Sequence, residues 1–229
     1  MVMNFGTPNI VTSGLVMYLD AANRKSYPRT GNTWFDLTGN ANNVTATNSP
    51  VWNSGGYWAN TSTSYFTGAG TSSIPIGNSQ YSLIVWIRQR VADGWGTIGN
   101  GFISIGGYGT NNQSNALRAD PAGLGYMYNY WWNNDLFLNN NNAGIVLGNW
   151  YMIAATFDGT TRRILINGIS RASDTPINHN VLTTTIQVSK TWNTEYQNGD
   201  MAIAQIYNRG LSASEILQNY NATKTRFGL

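Results

Sequence analysis

The sequence predicts an all-β fold, an antiparallel two-sheet jelly-roll sandwich with one short C-terminal helix. Apolar and polar residues alternate with period two through most of the chain, which is typical of β-strands. Turn residues separate these runs, and the 229 residues include 25 glycines. Charged residues make up 10% of the chain and aromatic residues 13%, a composition that suits many packed strands and not a disordered chain.

The alternation identifies individual strands. Residues 14–19 and 81–87 each carry apolar side chains at every second position. Residues 150–157 are apolar on both faces, which predicts a central strand that is covered on both sides. Asp158-Gly159 and Asn167-Gly168 predict two hairpin turns further along, because such pairs favour the positive φ angles that tight turns require.

One segment carries a helix-start signal. Ser212 and Glu215 have the spacing of a capping box, in which the two side chains satisfy free backbone donors at the start of a helix. The apolar side of the helix that follows consists of Ile216, Leu217 and Tyr220. Because no linker or composition shift divides the sequence, we expect residues 1–229 to form one domain, with residues 1–12 as an N-terminal arm.

Composition and charge exclude several classes of protein. The net charge is +3 and the basic residues are scattered, whereas nucleic-acid-binding proteins cluster them. The chain has no cysteine, which excludes disulfides and thiolate metal sites. No apolar run is long enough to cross a bilayer, and residues 1–8 lack the pattern of a signal peptide. We therefore expect no nucleic-acid or membrane partner, and synthesis in a cytoplasm.

Four segments carry a family resemblance. They are Gly14-Leu-Val-Met-Tyr-Leu-Asp20 with Thr33-Trp-Phe-Asp-Leu-Thr-Gly-Asn40, the strand Tyr81-Ser-Leu-Ile-Val-Trp-Ile87 within 77–87, Asn149-Trp-Tyr-Met-Ile-Ala-Ala-Thr-Phe-Asp-Gly159 with the Ile166-Asn167-Gly168 turn, and 199–209 leading into 211–216. In this order they resemble the laminin-G-like jelly-roll domains of the concanavalin A-like lectin/glucanase superfamily. The opening of the chain and residues 219–229 resemble accessory structural proteins of tailed phages, particularly marine and cyanobacterial ones.

This resemblance implies a function. The first hypothesis is a non-catalytic virion accessory protein, of the capsid decoration or fibre/adhesin type, that is assembled into the virion in a host cytoplasm. Its partners would be other virion structural proteins, of the capsid or tail, and cell-surface or environmental glycans. A free-standing, lectin-like carbohydrate-binding module is the second hypothesis and a glycoside hydrolase the third. Homo-oligomerisation stays open.

The carboxylate pattern argues against the hydrolase. Enzymes of this superfamily that cut β-glucans carry Glu-x-Asp-x-Glu on one strand, because the acid and the nucleophile must flank one glycosidic bond. The glutamates here are Glu195 and Glu215, and no two carboxylates lie two or four residues apart. The one histidine, His179, has no accompanying hydrolase motif and is interpreted as a solvated loop residue. The sequence therefore predicts that the chain is not an enzyme.

Asp20, Asp36 and Asp200 are the candidate metal ligands. They lie in the segments that carry the resemblance, and related domains often hold Ca²⁺ through Asp, Asn and backbone oxygens. Ca²⁺ takes six to eight oxygen ligands, which asparagine-rich loops can supply. No calcium-loop spacing accompanies the three residues, so each is also a candidate turn or cap residue. Ca²⁺ is the one cofactor that the sequence suggests.

The predicted ligand-binding site is an aromatic face. If residues 124–132 are extended, alternate side chains share one side and Met127 and Trp131 face the other way. The residues of the predicted site are Tyr126, Tyr128, Tyr130 and Trp132, with Asn133 and Asp135 just beyond them. Sugars stack on aromatic rings while amide and carboxylate groups hold their hydroxyls. The alternative is that this face belongs to the core or to a subunit interface.

Overall fold

The computed structural model describes residues 8–90, 100–119, 126–139 and 144–229. In this part of the chain the strands form two eight-stranded antiparallel sheets, A and B. Sheet A contains, in spatial order, β14 (Ile169–Asp174), β13 (Arg162–Ile166), β12 (Trp150–Phe157), β7 (Tyr81–Gln89), β16 (Gly199–Tyr207), β5 (Tyr57–Ala59) and β4 (Val51–Asn53), and β1 (Leu15–Asp20) also pairs with β16. Sheet B contains β11 (Leu136–Leu138), β10 (Met127–Tyr130), β9 (Ser114–Ala119), β8 (Asn100–Gly106), β15 (Ile186–Val188), β6 (Tyr65–Gly68), β3 (Val44–Thr47) and β2 (Thr33–Trp34).

The main core lies between the two sheets. Leu83 and Ile153 of sheet A and Phe66 and Leu117 of sheet B are among its fully buried members. Burying a side chain of this size stabilises the fold by roughly 1.5–3 kcal/mol, and with no cysteine in the chain this burial is the main source of stability. The prediction of an all-β sandwich with a short C-terminal helix is confirmed.

Sheet A is covered on its outer face as well. Ile153 and Ala155 of β12 point into the main core, whereas Met152 and Ala154 belong to a second apolar cluster on the other face. The prediction that residues 150–157 are covered on both sides is therefore confirmed.

The cover of the outer face is the C-terminal helix α1 (Ala213–Thr223), which continues into a 3-10 turn over Lys224–Phe227. Ile216 is fully buried against sheet A, and Trp86 of β7 stacks on Phe227 at a centroid distance of 4.1 Å. The Trp86 indole N–H donates to the Thr223 hydroxyl at 2.9 Å. None of the helices in the described part of the chain has the length and apolarity needed to cross a bilayer.

The predicted capping box is confirmed at the start of α1. The Glu215 backbone N–H donates to the Ser212 hydroxyl, and the Ser212 N–H donates to the Glu215 carboxylate. The Arg209 guanidinium also binds Glu215, at 2.6 Å, and lowers the pKa of that carboxyl to about 2. Arg209 thus joins the end of β16 to the helix.

We expect Ser212→Ala to lower the free energy of unfolding by about 1 kcal/mol, the usual effect of losing an N-cap side chain. Urea unfolding followed by circular dichroism measures the change. Ser54→Ala, at an exposed serine in the turn between β4 and β5, is the matched control with an expected change below about 0.5 kcal/mol. Equal losses for the two variants would show that the cap does not stabilise this fold.

The turn between β13 and β14 has the predicted conformation. Asn167 and Gly168 have φ angles of 51° and 82°, and these positive values suit the mirror-image turn of a two-residue hairpin. Between β12 and β13 only Gly159 has a positive φ, of 94°. Asp158 instead accepts the backbone N–H groups of Thr160 and Thr161.

Residues 1–7 of the predicted arm lie outside the described residues. Val11 is buried, and its backbone N–H donates to the Asn219 side chain at 2.7 Å. Its carbonyl accepts the Tyr207 hydroxyl at 2.8 Å. The end of the predicted arm is therefore held against α1 and β16.

Candidate functional site

The candidate site lies on the outer face of sheet B, at the edge formed by β10 and β11. Met127 and Asn129 of β10 are fully buried, whereas Tyr128 and Tyr130 are half-buried and face outwards. The predicted alternation therefore holds along β10. Tyr126, directly before the strand, is also half-buried, and predicted positions 124 and 125 lie outside the described residues.

The prediction that the extended segment reaches Trp132 is wrong, because β10 ends at Tyr130. Trp132 and Asn133 have φ angles of 65° and 59°, so the chain turns there instead of continuing the strand. The Asp135 carboxylate accepts the Trp131 N–H at 2.9 Å and holds this turn. Asn133 is exposed at its tip.

Trp132 nevertheless joins the aromatic residues of the strand. Its ring lies 5.6 Å from Tyr130, 6.2 Å from Tyr108 and 5.0 Å from Trp192, measured between centroids. At the other end, the exposed Phe137 ring lies 4.8 Å from Tyr128. We call the whole set the aromatic surface, which consists of Tyr108, Tyr126, Tyr128, Tyr130, Trp132, Phe137 and Trp192.

Sequence reasoning missed three members of this surface. Phe137 alternates with the buried Leu136 and Leu138, so the period-two pattern contains a signal for its outward position. Tyr108 and Trp192 come from distant loops, and no local pattern links either of them to β10.

An ion pair lies beneath the aromatic rings. The Arg118 guanidinium lies 4.9 Å from the Tyr128 ring centroid and 4.6 Å from that of Tyr130, and it binds the Glu195 carboxylate. The two charged side chains are only 12% and 8% exposed. Because the charges neutralise each other and are largely covered, the surface offers rings and hydroxyls and little net charge.

Burial also shifts the pKa values of two polar groups at the site. It raises the pKa of Tyr130 to about 12, against the opposing effect of Arg118. An ordinary tyrosine is already protonated at neutral pH, so the Tyr130 hydroxyl can donate a hydrogen bond, and the shift only extends this to higher pH. Burial likewise raises the pKa of Asp135, while the hydrogen bond from the Trp131 backbone lowers it.

The loop that carries Trp192 rests directly on β8. A Cβ atom on Gly101 would lie 2.1 Å from the Thr191 nitrogen and 2.6 Å from the Glu195 carbonyl oxygen. Only glycine allows this approach, and the Gly101 N–H donates to the same carbonyl at 3.2 Å. This close packing sets the position of Trp192 over the outer face of sheet B.

Trp131 supports the site from inside. Its buried ring stacks on His179 with centroids 3.9 Å apart and planes 12° apart, and the Arg162 guanidinium lies 4.2 Å from its centroid. His179 is only 4% exposed, so the prediction of a solvated loop histidine is wrong. The flat imidazole packs against Trp131. The asparagines on either side of His179 in the sequence are typical of a loop and do not indicate this packing.

Two of the candidate metal ligands bind donors of the protein itself. Asp36 accepts the backbone N–H groups of Tyr18, Thr38 and Asn42 and the Thr38 hydroxyl. Asp20 binds the Arg226 guanidinium at 2.6 Å. Both carboxylates thus hold turns and the C-terminal segment in place.

The third candidate, Asp200, is 1% exposed and lies between the guanidinium groups of Arg88 at 2.7 Å and Arg90 at 3.1 Å. Burial raises its pKa although both arginines lower it. Within the described ranges, no three His, Cys, Asp or Glu residues form a group that could hold a metal ion. Ca²⁺ binding stays a prediction, and Ca²⁺ at Asp200 would have to compete with two cations.

Solved structures with this fold include enzymes and binding domains. Trypanosoma rangeli sialidase in complex with sialic acid matches with a TM-score of 0.68 and 13% identity, over 95% of this chain and 34% of the sialidase chain. Domain 4 of AbnA, an extracellular arabinanase from Geobacillus stearothermophilus, in complex with arabinotriose, matches with a TM-score of 0.64 and 17% identity, over 91% of this chain and 98% of that domain. The binding domain of Paraclostridial Mosquitocidal Protein 1 matches with a TM-score of 0.62 and 17% identity, over 91% of this chain and 52% of that one.

The prediction that the chain is not an enzyme, which rests on its carboxylate pattern, is contradicted by solved structures that share its fold. Sialidases are among the solved structures that match it, although the chain spans only about a third of their length at 12–13% identity. A likeness at this level of sequence identity establishes that the fold is shared and establishes no activity. The matches show that the fold occurs within enzymes as well as in binding domains.

Sequence comparison identifies the family. The sequence matches no curated protein. Residues 60–217 match a laminin-G family model that is described as the concanavalin A-like lectin/glucanases superfamily. This match includes β6 to β16 and the start of α1, which is more than half of the chain. The chain belongs to the concanavalin A-like lectin/glucanases superfamily.

Proposed function

We propose that this chain is a lectin-like carbohydrate-binding module and that the aromatic surface binds neutral glycans. The observation that carries the proposal is the clustering of partly exposed rings on the outer face of sheet B above a neutralised Arg118–Glu195 pair. Family membership supports it, and so does the arabinanase domain, which has the same fold and was solved with arabinotriose.

The chemistry of the surface suits sugars. Alternate residues of a strand lie about 7 Å apart, so Tyr128 and Tyr130 offer two neighbouring rings for stacking against successive sugars. Asn133 is exposed beside them, and the Tyr130 hydroxyl keeps its proton. Apolar faces flanked by a few hydrogen-bonding groups are the usual composition of a site for a neutral, hydroxyl-rich ligand.

We expect Trp132→Ala to weaken glycan binding about tenfold, which corresponds to about 1.4 kcal/mol, because it removes one stacking face and the contact that orders Tyr130. Isothermal titration calorimetry with arabinotriose and other neutral trisaccharides measures the loss. Phe35→Ala is the matched control, since Phe35 is 40% exposed and directly follows β2, at the opposite edge of sheet B.

Stability measurements separate this proposal from a structural role of the rings. Truncating a core aromatic residue costs about 3–5 kcal/mol, whereas we expect the unfolding midpoint of Trp132→Ala to stay close to that of the wild-type protein. Unchanged affinity in a folded Trp132→Ala variant would contradict the proposed site.

The virion accessory role is a separate proposal that rests on the resemblance of the opening of the chain and residues 219–229. The family match and the binding-domain neighbours favour the lectin-like alternative over it. Capsid or tail partners, assembly in a host cytoplasm and homo-oligomerisation belong to the same proposal. Co-sedimentation of the chain with purified particles tests it, and recovery of the chain away from the particles would contradict it.

A further inference from the structure

We infer that the corner between Trp132 and Trp192 binds the terminal sugar of a glycan, so that the aromatic surface recognises chain ends. The inference rests on the proposed function, because it names the part of a glycan that the same surface would select. It adds Trp192 as a residue that determines specificity.

The geometry of the two rings carries the inference. Their planes meet at 77° with centroids 5.0 Å apart, and Trp192 is 42% exposed. An open row of rings accepts the middle of a long chain, since nothing obstructs either end. Here a sugar ring that stacks on one indole meets the other indole with its edge, and the second indole occupies the direction in which a chain would continue.

The rest of the surface extends in the other direction. Tyr130 contacts Trp132, whereas Tyr128 and Phe137 lie further back along β10 and β11. Sugars that follow the terminal one would therefore lie along these outward-facing rings. Among the described residues, the corner therefore lies at one end of the surface, and Tyr128 and Phe137 lie towards the other.

Hydrogen bonds hold the Trp192 side of the corner in place without a ligand. The Glu195 N–H donates to the Trp192 carbonyl at 2.9 Å, and the Glu195 carboxylate accepts the Thr191 hydroxyl at 2.5 Å and the Trp192 N–H at 3.4 Å. Arg118 holds the same carboxylate. A site whose walls are already ordered loses little conformational entropy on binding, so Trp192 can select ligands by shape.

The charges under the corner indicate which kind of chain end fits. Glu195 and Arg118 neutralise each other and are largely covered, so neither is free to bind an ionised ligand. A neutral terminal sugar would stack on the two indoles without leaving a charge unpaired, whereas a terminal carboxylate would find Arg118 already paired with Glu195. We therefore expect the preferred terminus to be uncharged.

The experiment uses two series of neutral oligosaccharides, α-1,5-linked arabinose and β-1,3-linked glucose, each from the disaccharide to the hexasaccharide. Calorimetry gives Kd per mole of chain for the wild-type protein. An end-binding site offers one position per chain, so we expect the affinity in the series that binds to level off beyond the trisaccharide. A site for internal sugars offers more positions as the chain lengthens, and its affinity per chain rises.

Variants assign this behaviour to the corner. Trp192→Ala should weaken binding of every member about tenfold, and Trp192→Phe, which keeps a flat ring, should recover part of the loss. Phe137→Ala, at the end of the surface away from the corner, is the matched control and should weaken only the longer chains. The unfolding midpoint of each variant is measured alongside, and a folded Trp192→Phe keeps the test decisive if Trp192→Ala is destabilised.

The outcomes distinguish the two proposals. Affinity per chain that rises steadily with length, or binding that Trp192→Ala leaves unchanged, overturns end recognition and leaves carbohydrate binding intact. Absence of wild-type binding to both series and to an array of other neutral glycans overturns the proposed function, and end recognition with it.

Discussion

Arg162→Met is expected to lower the free energy of unfolding by about 3 kcal/mol, because it removes a buried donor from the Asn134 carbonyl and the ion-pair partner of Asp174, whose side chain is 35% exposed. The Arg162 side chain is fully buried. It forms two hydrogen bonds with Asp174, at 3.1 and 2.6 Å, and donates to the Asn134 carbonyl at 2.8 Å. It also lies over the Trp131 ring, so it connects β13 of sheet A to the turn that ends β10.

The adjacent residue provides the matched control. Arg163 pairs with Asp158 at 2.7 Å, but the two side chains are 33% and 40% exposed, and exposed ion pairs contribute about 0–1 kcal/mol. Urea unfolding of Arg162→Met and Arg163→Met, with free energies extrapolated to water, gives the comparison. If the two variants lost similar amounts of unfolding free energy, the buried contacts of Arg162 would stabilise the fold no more than the exposed pair of Arg163.

The two arginines also show which structural properties the sequence predicts and which it does not. Ile164 and Ile166 face the main core, and period two places Arg162 on that same face and Arg163 on the other. The pattern thus predicts the direction of each side chain. Arg162 can be buried in the core because Asp174 and Asn134 bind its guanidinium group. These partners are distant in sequence, and only folding brings them next to Arg162.

The same division applies to the whole fold. The strands, the Asn167-Gly168 turn and the Ser212–Glu215 capping box are local features, since each depends on residues within a few positions of one another, and the sequence predicts them. The pairing of strands into sheets A and B depends on segments that are distant in sequence. The period-two alternation does not indicate which strands pair, and the two-sheet arrangement is predicted from the family resemblance.

At the candidate site, alternation placed Tyr128 and Tyr130 outwards but failed at Trp132. The strand ends where the Asp135 carboxylate accepts the Trp131 N–H. This hydrogen bond replaces one that a neighbouring strand would make, and the alternation of apolar and polar side chains does not predict it. Glu195 illustrates a second limit. No sequence motif assigns a role to Glu195, whereas the structure shows its carboxylate holding Arg118 and the Trp192 loop.

Acidification is expected to destabilise the fold through His179. Burial lowers the pKa of this histidine from 6.5 to about 4; the Ser114 backbone raises it and the Arg162 guanidinium lowers it. Below pH 6.5 the unfolded chain takes up a proton at this residue while the folded chain does not. Stability is therefore lost as the pH falls from 6.5 towards 4, by as much as about 3 kcal/mol at about 1.4 kcal/mol for each unit of pKa difference.

His179→Phe isolates this contribution, because phenylalanine keeps a ring against Trp131 but has no proton to gain. Asp135, Asp200 and Glu215 titrate in both proteins, so their effects cancel when the pH dependence of one is subtracted from that of the other. Urea unfolding at several pH values between neutrality and the folded-state pKa should give a steeper fall for the wild-type protein. Parallel curves for the two proteins would mean that His179 takes up its proton equally well in the folded and unfolded chains, which its burial against Trp131 and beside Arg162 argues against.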